Sequence, residues 1–259
     1  MDHRPIGVFD SGMGGLTVLK ALQSSLPQAN FIYLGDTARL PYGIKSPLTV
    51  RRYAKQASQH LVKSNVQALV VACNTASAHA LEELQSVYDP LPVFGVVVPG
   101  AQQACQASES GRIAVVATES TIAGGAYQRA ILKHRSDAKV FARACPLLVP
   151  LAEAGWLSGD ICSSILHEYL DGLLANDVDT LLLGCTHYPA LAEAIVEVVG
   201  NQIKVVDSAA TTAHAVAKSL TVGGQGSCTI LATDSVARFQ QVGEHFLGKA
   251  VGPVTLVDL

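Results

Sequence analysis

Two of the six cysteines, Cys73 and Cys185, have matched sequence surroundings that would suit acid–base chemistry. Each follows a short apolar run typical of a buried strand and precedes a turn rich in hydroxyl groups. If the turn opens a helix, the position exposes the thiol at the sheet edge and favours the thiolate. One such thiol would indicate a covalent nucleophile, whereas two indicate bases that approach a bound molecule from opposite sides. The residues alone leave open the alternative of two structural cysteines.

Each of these cysteines has a titratable side chain that could assist it. Asp10 ends the first strand candidate, in the same half of the chain as Cys73, and His187 follows Cys185 by two residues. A thiol with an ordinary pKa near ~8.5 is mostly protonated at pH 7, so a neighbouring acid or base helps to ready it. The structural alternative is that Asp10 caps the glycine-rich turn after it and His187 caps its helix.

The glycine-rich loop after Asp10 does not match the common nucleotide-binding motifs. Residues 11–15 read SGMGG, Thr17 stands at the third glycine position of G-x-G-x-x-G, and no Gly-Lys-Ser/Thr follows. Backbone N–H groups at a helix start still bind small anions such as a carboxylate. The other polar side chains expected around the same cleft are Asn74, Thr75, Thr118, Thr121 and Thr186. This set suits a zwitterion with a carboxylate and an ammonium group.

Short apolar runs alternate with helix-length amphipathic segments along most of the chain. The strand candidates are 6–9, 31–34, 68–72, 93–97, 113–117, 139–142, 180–183, 204–206 and 229–232. The helix candidates include 47–63, 75–88, 158–175 and 190–199, the first with Ser46 as its cap. Continuous apolar strands separated by helices are typical of parallel sheets covered on both faces, so the predicted class is α/β.

A weak internal repeat predicts two related halves. The matching segments are residues 8–15 with 116–125 and residues 69–76 with 181–188. In the first half, 63 residues separate Asp10 from Cys73. In the second half, 67 residues separate Thr118 from Cys185. If the halves face each other, all four loops line one cleft beyond the carboxyl ends of the strands.

Composition excludes several classes of protein. Hydrophobic residues make up 49% of the 259 residues and charged residues 15%, which predicts a sizeable core. The net charge is −3 with scattered Lys and Arg, so we expect no nucleic-acid partner. Every apolar run falls short of the roughly 18 residues that span a bilayer, and the first residues lack a signal-peptide core. The widely spaced cysteines predict free thiols in a reducing cytoplasm.

Several other chemistries lack their motifs. The chain has no H-E-x-x-H and no G-x-S-x-G, and nothing specifies pyridoxal phosphate, so we expect neither metal nor cofactor. A hydrolase that uses Cys185 with His187 is conceivable. However, neighbours two apart in one loop seldom reach the geometry of a nucleophile–base pair, and Cys73 would have no role.

Five ordered motifs resemble the glutamate racemases of the aspartate/glutamate racemase superfamily, over nearly the whole chain. They are GVFDSGMGGL at 7–16, GDTARLPYG at 35–43, ACNTA at 72–76, GVVVPGA at 95–101 and LGCTHYP at 183–189. The resemblance implies two pseudo-symmetric α/β domains with the active site in the cleft between them. We expect residues 1–97 plus 207–259 to form the first domain, which is discontinuous, and residues 98–206 to form the second.

The resemblance also implies cofactor-independent interconversion of L- and D-glutamate by two thiols, one for each enantiomer. Asp10 would assist Cys73, and His187 would assist Cys185. The implied substrate-binding positions are Asp10, Ser11, Pro41, Tyr42, Gly43, Cys73, Asn74, Thr75, Thr118, Thr121, Glu153, Cys185, Thr186 and His187. D-Glutamate feeds peptidoglycan synthesis and so cell-wall biogenesis and cell shape, and a cytoplasmic homodimer is implied.

Two rival functions remain on the same fold. Aspartate racemase performs the same chemistry on a shorter substrate, but those relatives tend to carry an acidic residue where His187 stands. A non-catalytic amino-acid-binding protein is the other, and it would not need two thiols together with Asp10 and His187.

Overall fold

The apolar runs of the sequence form strands that are buried on both faces. The computed structural model describes all 259 residues, and every residue of its first and third strands is buried. The ten strands are β1 (Ile6–Asp10), β2 (Phe31–Gly35), β3 (Ala68–Val71), β4 (Val93–Gly95), β5 (Arg112–Ala117), β6 (Lys139–Ala144), β7 (Thr180–Gly184), β8 (Lys204–Asp207), β9 (Cys228–Ala232) and β10 (Val254–Leu256).

Eleven α-helices connect and cover the strands. They are α1 (Leu16–Ser25), α2 (Pro47–Val62), α3 (Asn74–Tyr88), α4 (Val97–Ala107), α5 (Glu119–Ala123), α6 (Ala126–His134), α7 (Leu148–Glu153), α8 (Asp160–Leu174), α9 (Ala192–Val199), α10 (Ala209–Ser219) and α11 (Val236–Leu247). Helix α2 begins as predicted, because the Ser46 side chain accepts a hydrogen bond from the Thr49 N–H and Pro47 takes the first helical position. None of the helices has the length and apolar character needed to cross a bilayer.

The strands form two parallel sheets. The six-stranded sheet has the order β10-β9-β2-β1-β3-β4, and the four-stranded sheet has the order β6-β5-β7-β8. Every neighbouring pair is parallel. The order β2-β1-β3-β4 in the first sheet therefore repeats as β6-β5-β7-β8 in the second, which confirms the α/β class and explains the internal repeat.

The predicted domain boundaries can be placed on this topology. The boundary expected after residue 97 falls between β4 and β5, on the first residue of α4. The boundary expected after residue 206 falls inside β8, before its last residue Asp207, which pairs with Leu183 within the four-stranded sheet. The division into two domains stays a prediction.

The strand order opens a crevice at the same place in each half. In the first sheet β1 lies between β2 and β3, with Phe9 in register with Val71. The loops that leave β1 and β3 run to opposite sides of the sheet, which is where parallel α/β sheets bind ligands. The equivalent point in the second sheet lies between β5 and β7. The fold therefore brings the loop after Asp10 beside Cys73, and the loop after Ala117 beside Cys185.

A continuous apolar core joins the two sheets beneath these crevices. One cluster of buried side chains includes Met13 and Leu16 from the first half together with Val116 and Leu183 from the second. Helix α10 also packs against both α1 and α4. Burial of this surface stabilises the two sheets in one arrangement, so the site loops are held by packing on both sides.

The structure differs from the predicted elements at two places. The strand predicted at 93–97 ends at Gly95, because residues 97–107 form α4 with Pro99 in its first turn. The edge strand β10 was not predicted, and it is three residues long and mostly exposed. All other predicted strands and helices are present, with ends within two residues of the expected ones.

Candidate active site

The two thiols lie at the equivalent strand ends, and both are almost wholly buried. Cys73 precedes α3 and its Sγ accepts a hydrogen bond from the Ala76 N–H at 3.4 Å. Cys185 follows β7, and its Sγ lies 3.9 Å from His187 Nδ1. The exposed fractions are 5% for Cys73 and 7% for Cys185. The expectation that these positions expose the thiols is therefore wrong, because packing around both strand ends leaves almost none of either side chain exposed.

Two glycines allow the loops of the two halves to pack against one another. A Cβ at Gly14 would overlap His187 Nδ1 and would lie 2.6 Å from Thr186 Oγ1. A Cβ at Gly43 would lie 2.6 Å from the Thr118 Cβ. Any larger residue would have to push these side chains away, so the close approach requires glycine at both places. The contacts bring predicted site residues from both halves together.

The second thiol has a built network of hydrogen-bonding partners. His187 Nε2 lies 3.1 Å from Glu153 Oε1, and Arg238 Nη2 lies 3.0 Å from Glu153 Oε2. Burial alone would lower the pKa of His187, but its hydrogen bonds with Cys185 and Glu153 raise it to about 10. Burial opposes the ionised form of Glu153 as well, yet contacts with His187 and Arg238 bring its pKa below the ordinary value. Both side chains are therefore charged near neutral pH.

Sequence reasoning located His187 by its position and Glu153 only by resemblance, and it did not find Arg238. That arginine lies on α11 in the C-terminal part of the chain. Its local sequence, VARFQ, is that of an ordinary helix start. Only the folded chain brings it to Glu153.

Asp10 sits at the first thiol and also serves as a cap. It is fully buried, and its Oδ2 accepts a hydrogen bond from the Gly12 N–H at 2.9 Å. Its Oδ1 accepts a longer bond, 3.5 Å, from Thr186 Oγ1 of the opposite half. Burial raises the pKa of Asp10, opposed by the charge of His187 and by the Gly12 N–H. Asp10 therefore does cap the glycine-rich turn, as the structural alternative proposed. The same carboxyl group also contacts Thr186 of the other half.

The thiol of Cys73 is not activated by its helix. Burial, and then the negative charge of Asp10, raise the pKa of Cys73 to about 12. Its bond from the Ala76 N–H acts in the opposite direction but is weaker. The expectation that the helix start favours the thiolate is therefore wrong for Cys73. This thiol rests protonated, donating to Ser11 Oγ at 3.6 Å, and is set to act as an acid.

The raised pKa predicts how Cys73 reacts with iodoacetamide. The rate is expected to rise about tenfold per pH unit between roughly pH 7 and 9, because only the thiolate reacts and its fraction grows tenfold per unit below the pKa. Mass spectrometry of the Cys73 peptide measures the rate. The partly exposed Cys105 serves as a reference in the same digest. A rate that levels off below pH 8 would contradict the raised pKa.

A group of neutral polar side chains spans the two halves beside the thiols. The Thr75 hydroxyl lies 3.0 Å from that of Thr118 and 2.9 Å from that of Thr121. The Asn74 amide donates to the Tyr127 hydroxyl at 2.6 Å. The Oδ1 atom of Asn74 is buried and has no hydrogen-bond partner. A buried acceptor without a partner is costly, so this atom is a position where a bound N–H group would be stabilised.

The segment after β2 is only partly in the site. Tyr42 is buried, but its hydroxyl donates to Asp36, which also pairs with Arg39 at 2.8 Å. Gly43 contacts Thr118 as described. Pro41 is exposed, so the structure does not place it among the buried site residues.

The remaining cysteines are all free thiols. Cys145 and Cys162 are buried, whereas Cys105 and Cys228 are only partly buried. The chain has no group of three or more His, Cys, Asp or Glu side chains placed to hold a metal ion. The site brings together two buried thiols, Cys73 and Cys185, with a titratable side chain near each, and such groups can act as acids and bases.

Comparison with known proteins adds independent findings. The family model "Asp/Glu/Hydantoin racemase" matches residues 16–216. Glutamate racemase from Geobacter metallireducens is 48% identical over 266 residues, covering 100% of this chain and 98% of the relative. The crystal structure of glutamate racemase from Francisella tularensis in complex with D-glutamate has 35% identity and a TM-score of 0.93, covering 100% and 98% of the two chains. Picrophilus torridus aspartate racemase, 16% identical with a TM-score of 0.60, covers 83% of this chain and 94% of that one and shares the fold alone.

Proposed function

This chain belongs to the Asp/Glu/hydantoin racemase family, and from that premise we propose that it interconverts L- and D-glutamate without a cofactor. The observation that carries the proposal is the pair of thiols, Cys73 and Cys185, at equivalent strand ends of two related sheets. Racemisation needs a base on one face of the α-carbon and an acid on the other, and this arrangement supplies one group of each kind.

The proposed reaction balances with the two thiols alone. One cysteine, as thiolate, takes the α-proton and becomes a thiol, and the electron pair stays on the α-carbon next to the carboxylate. The other cysteine, as thiol, gives its proton to the opposite face and becomes a thiolate. In the reverse direction the roles exchange. His187 keeps a positive charge, and its Nδ1 lies 3.9 Å from Cys185 Sγ, so a ring N–H group faces that sulfur.

The polar groups around the thiols fit the charges of an amino acid. The unpartnered Oδ1 of Asn74 suits the α-ammonium group, and the linked hydroxyls of Thr75, Thr118 and Thr121 suit a carboxylate. Backbone N–H groups of the glycine-rich loop after Asp10 provide further anion contacts. An ammonium group bound near Cys73 would also offset the negative charge that Asp10 contributes there, and so would make the Cys73 thiol easier to ionise.

Two observations favour glutamate racemisation over its rivals. Relatives that match the full chain at 40–48% identity are glutamate racemases, whereas the aspartate racemase likeness extends to the fold only. A non-catalytic binding protein has no use for two buried thiols with charged partners. We further propose that the protein is a homodimer in the bacterial cytoplasm and binds neither nucleic acid nor membrane. Its D-glutamate would supply cell-wall synthesis.

Incubation with single enantiomers tests this function. The purified protein is expected to convert L-glutamate and D-glutamate each to an equal mixture, measured by chiral chromatography, and to leave the aspartate enantiomers essentially unchanged. Activity should persist after exhaustive EDTA treatment and without added pyridoxal phosphate, because the thiols supply both acid and base. Activity on aspartate alone, or activity lost with EDTA and restored by a metal, would contradict the proposal.

A further inference from the structure

Helix α11 makes two contacts with the side chains that support Cys185. Arg238, at its start, lies 3.0 Å from Glu153 Oε2. Phe246, near its end, packs edge-on against the His187 ring, with ring centroids 5.0 Å apart and an interplanar angle of 76°. The helix follows β9 of the six-stranded sheet, whereas His187 and Glu153 flank the four-stranded sheet. A helix of one half therefore contacts the helper groups of the other half's thiol.

The geometry of Glu153 shows what Arg238 does there. The carboxylate uses Oε1 for His187 Nε2 at 3.1 Å and Oε2 for Arg238, so its two oxygens are bound in two directions. Its side chain is 12% exposed, against 60% for Arg238. A carboxylate with a single partner is free to rotate away, whereas two partners fix its plane. With Nε2 occupied, the His187 ring is held with Nδ1 toward Cys185 Sγ.

We propose that Arg238 is a positioning residue for proton transfer at Cys185, acting through Glu153 and His187. The inference rests on the proposed racemase function. It assigns to an exposed residue of the C-terminal helix a role in one of the two proton transfers, and none in the transfer at Cys73.

Steady-state rates alone do not show which transfer is affected. Because L- and D-glutamate have equal free energies, kcat/KM must be the same in the two directions for wild type and for any variant. Primary deuterium isotope effects from α-deuterated glutamate do separate the two steps. If transfer at Cys185 becomes slower, the isotope effect rises in the direction in which Cys185 takes the deuteron. The isotope effect falls in the other direction. There Cys73 takes the deuteron, and this transfer becomes reversible because delivery of the proton from Cys185 is now the slow step.

The test compares Arg238→Gln with four other variants of the full chain: Arg238→Lys, Glu153→Gln, the double variant Arg238→Gln/Glu153→Gln, and a control. We expect kcat/KM of Arg238→Gln to fall roughly 3- to 10-fold, since the ion pair is partly exposed and acts through a second group. The isotope effect should rise for one enantiomer and fall for the other. Arg238→Lys should keep most of the activity. In a Glu153→Gln background, Arg238→Gln should lower kcat/KM by less than about a further twofold, as expected for residues that act in one network.

Lys204→Gln is the matched control. Lys204 is exposed and pairs with Glu109 at 2.7 Å, away from the thiols, so its removal also deletes one cation from a surface ion pair. It should leave kcat/KM and both isotope effects unchanged. Thermal unfolding of all variants checks that the fold is retained.

Three results would overturn the role of Arg238 while leaving the racemase function intact. They are a kcat/KM for Arg238→Gln within twofold of wild type, isotope effects that change equally in both directions, and an undiminished effect in the Glu153→Gln background. A wild-type protein that does not interconvert the glutamate enantiomers would instead overturn the proposed function, and this inference with it.

Discussion

Replacing either Cys73 or Cys185 by alanine is expected to reduce racemisation of glutamate by about 10⁴-fold in both directions, the upper end of what a positioned acid or base contributes, since each thiol is indispensable. Each full turnover uses one thiol to take a proton and the other to give one. A variant with a single thiol can do only half of the reaction. No neighbouring group replaces it, because His187 and Asp10 are themselves held by hydrogen bonds to other partners.

Cys105→Ala is the matched control for this prediction. Cys105 lies on α4, is partly buried, and donates a hydrogen bond from its Sγ to the Ile131 carbonyl at 3.7 Å. Its loss should change the rate by less than about twofold, as is usual for substitutions away from functional features. Both enantiomers are followed by chiral chromatography, with thermal unfolding to confirm that each variant is folded. A Cys185→Ala variant that keeps half of the wild-type rate would end the two-thiol interpretation.

The fold was largely predictable from the sequence because its strands are buried on both faces. Residues 68–71 and 181–183 are continuous apolar runs, and such runs have few alternatives to a central parallel strand. The segment after Gly95 shows the limit of that argument. Its three consecutive valines favour a strand by intrinsic preference, yet residues 97–107 form a helix. Tertiary packing overrides local preference at such places.

The positions of the site residues were predictable, but their ionisation was not. Placement at strand ends follows from alternating strands and helices, so Asp10, Cys73 and Cys185 could be located one by one. The pKa of Cys73 depends on how completely the folded chain buries it, and neither spacing nor composition contains that information. The sequence indicated the helix start that lowers the pKa and left out the burial that raises it.

Arg238 illustrates a second limit. It lies on a C-terminal helix of the first half, and its partner Glu153 lies in the second half, 85 residues away along the chain. A contact of this kind is set by how the two sheets pack together. Local sequence motifs do not predict the contact between Arg238 and Glu153, so the link of this arginine to His187 is seen only in the folded chain.

The origin of the product's α-proton is the second large effect that we expect. In a two-thiol mechanism the abstracted proton stays on the first cysteine, and the proton delivered to the opposite face comes from the second. Because a thiol exchanges its single proton with solvent between turnovers, the delivered hydrogen is derived from water. Starting from L-glutamate in deuterated water, almost all of the early D-glutamate should carry deuterium at the α-carbon. The remaining L-glutamate should stay largely unlabelled.

Isotope content of the product at low conversion is the most direct test of the central claim, that Cys73 and Cys185 act on opposite faces of one substrate. Mass spectrometry after chiral separation measures it, with proton NMR of the α-position as a second method. The structure predicts that D-glutamate formed in the first few per cent of the reaction is nearly fully deuterated. A single base that swings between the faces would carry the original hydrogen across. Early D-glutamate that is substantially protiated would therefore contradict the roles assigned to the two cysteines.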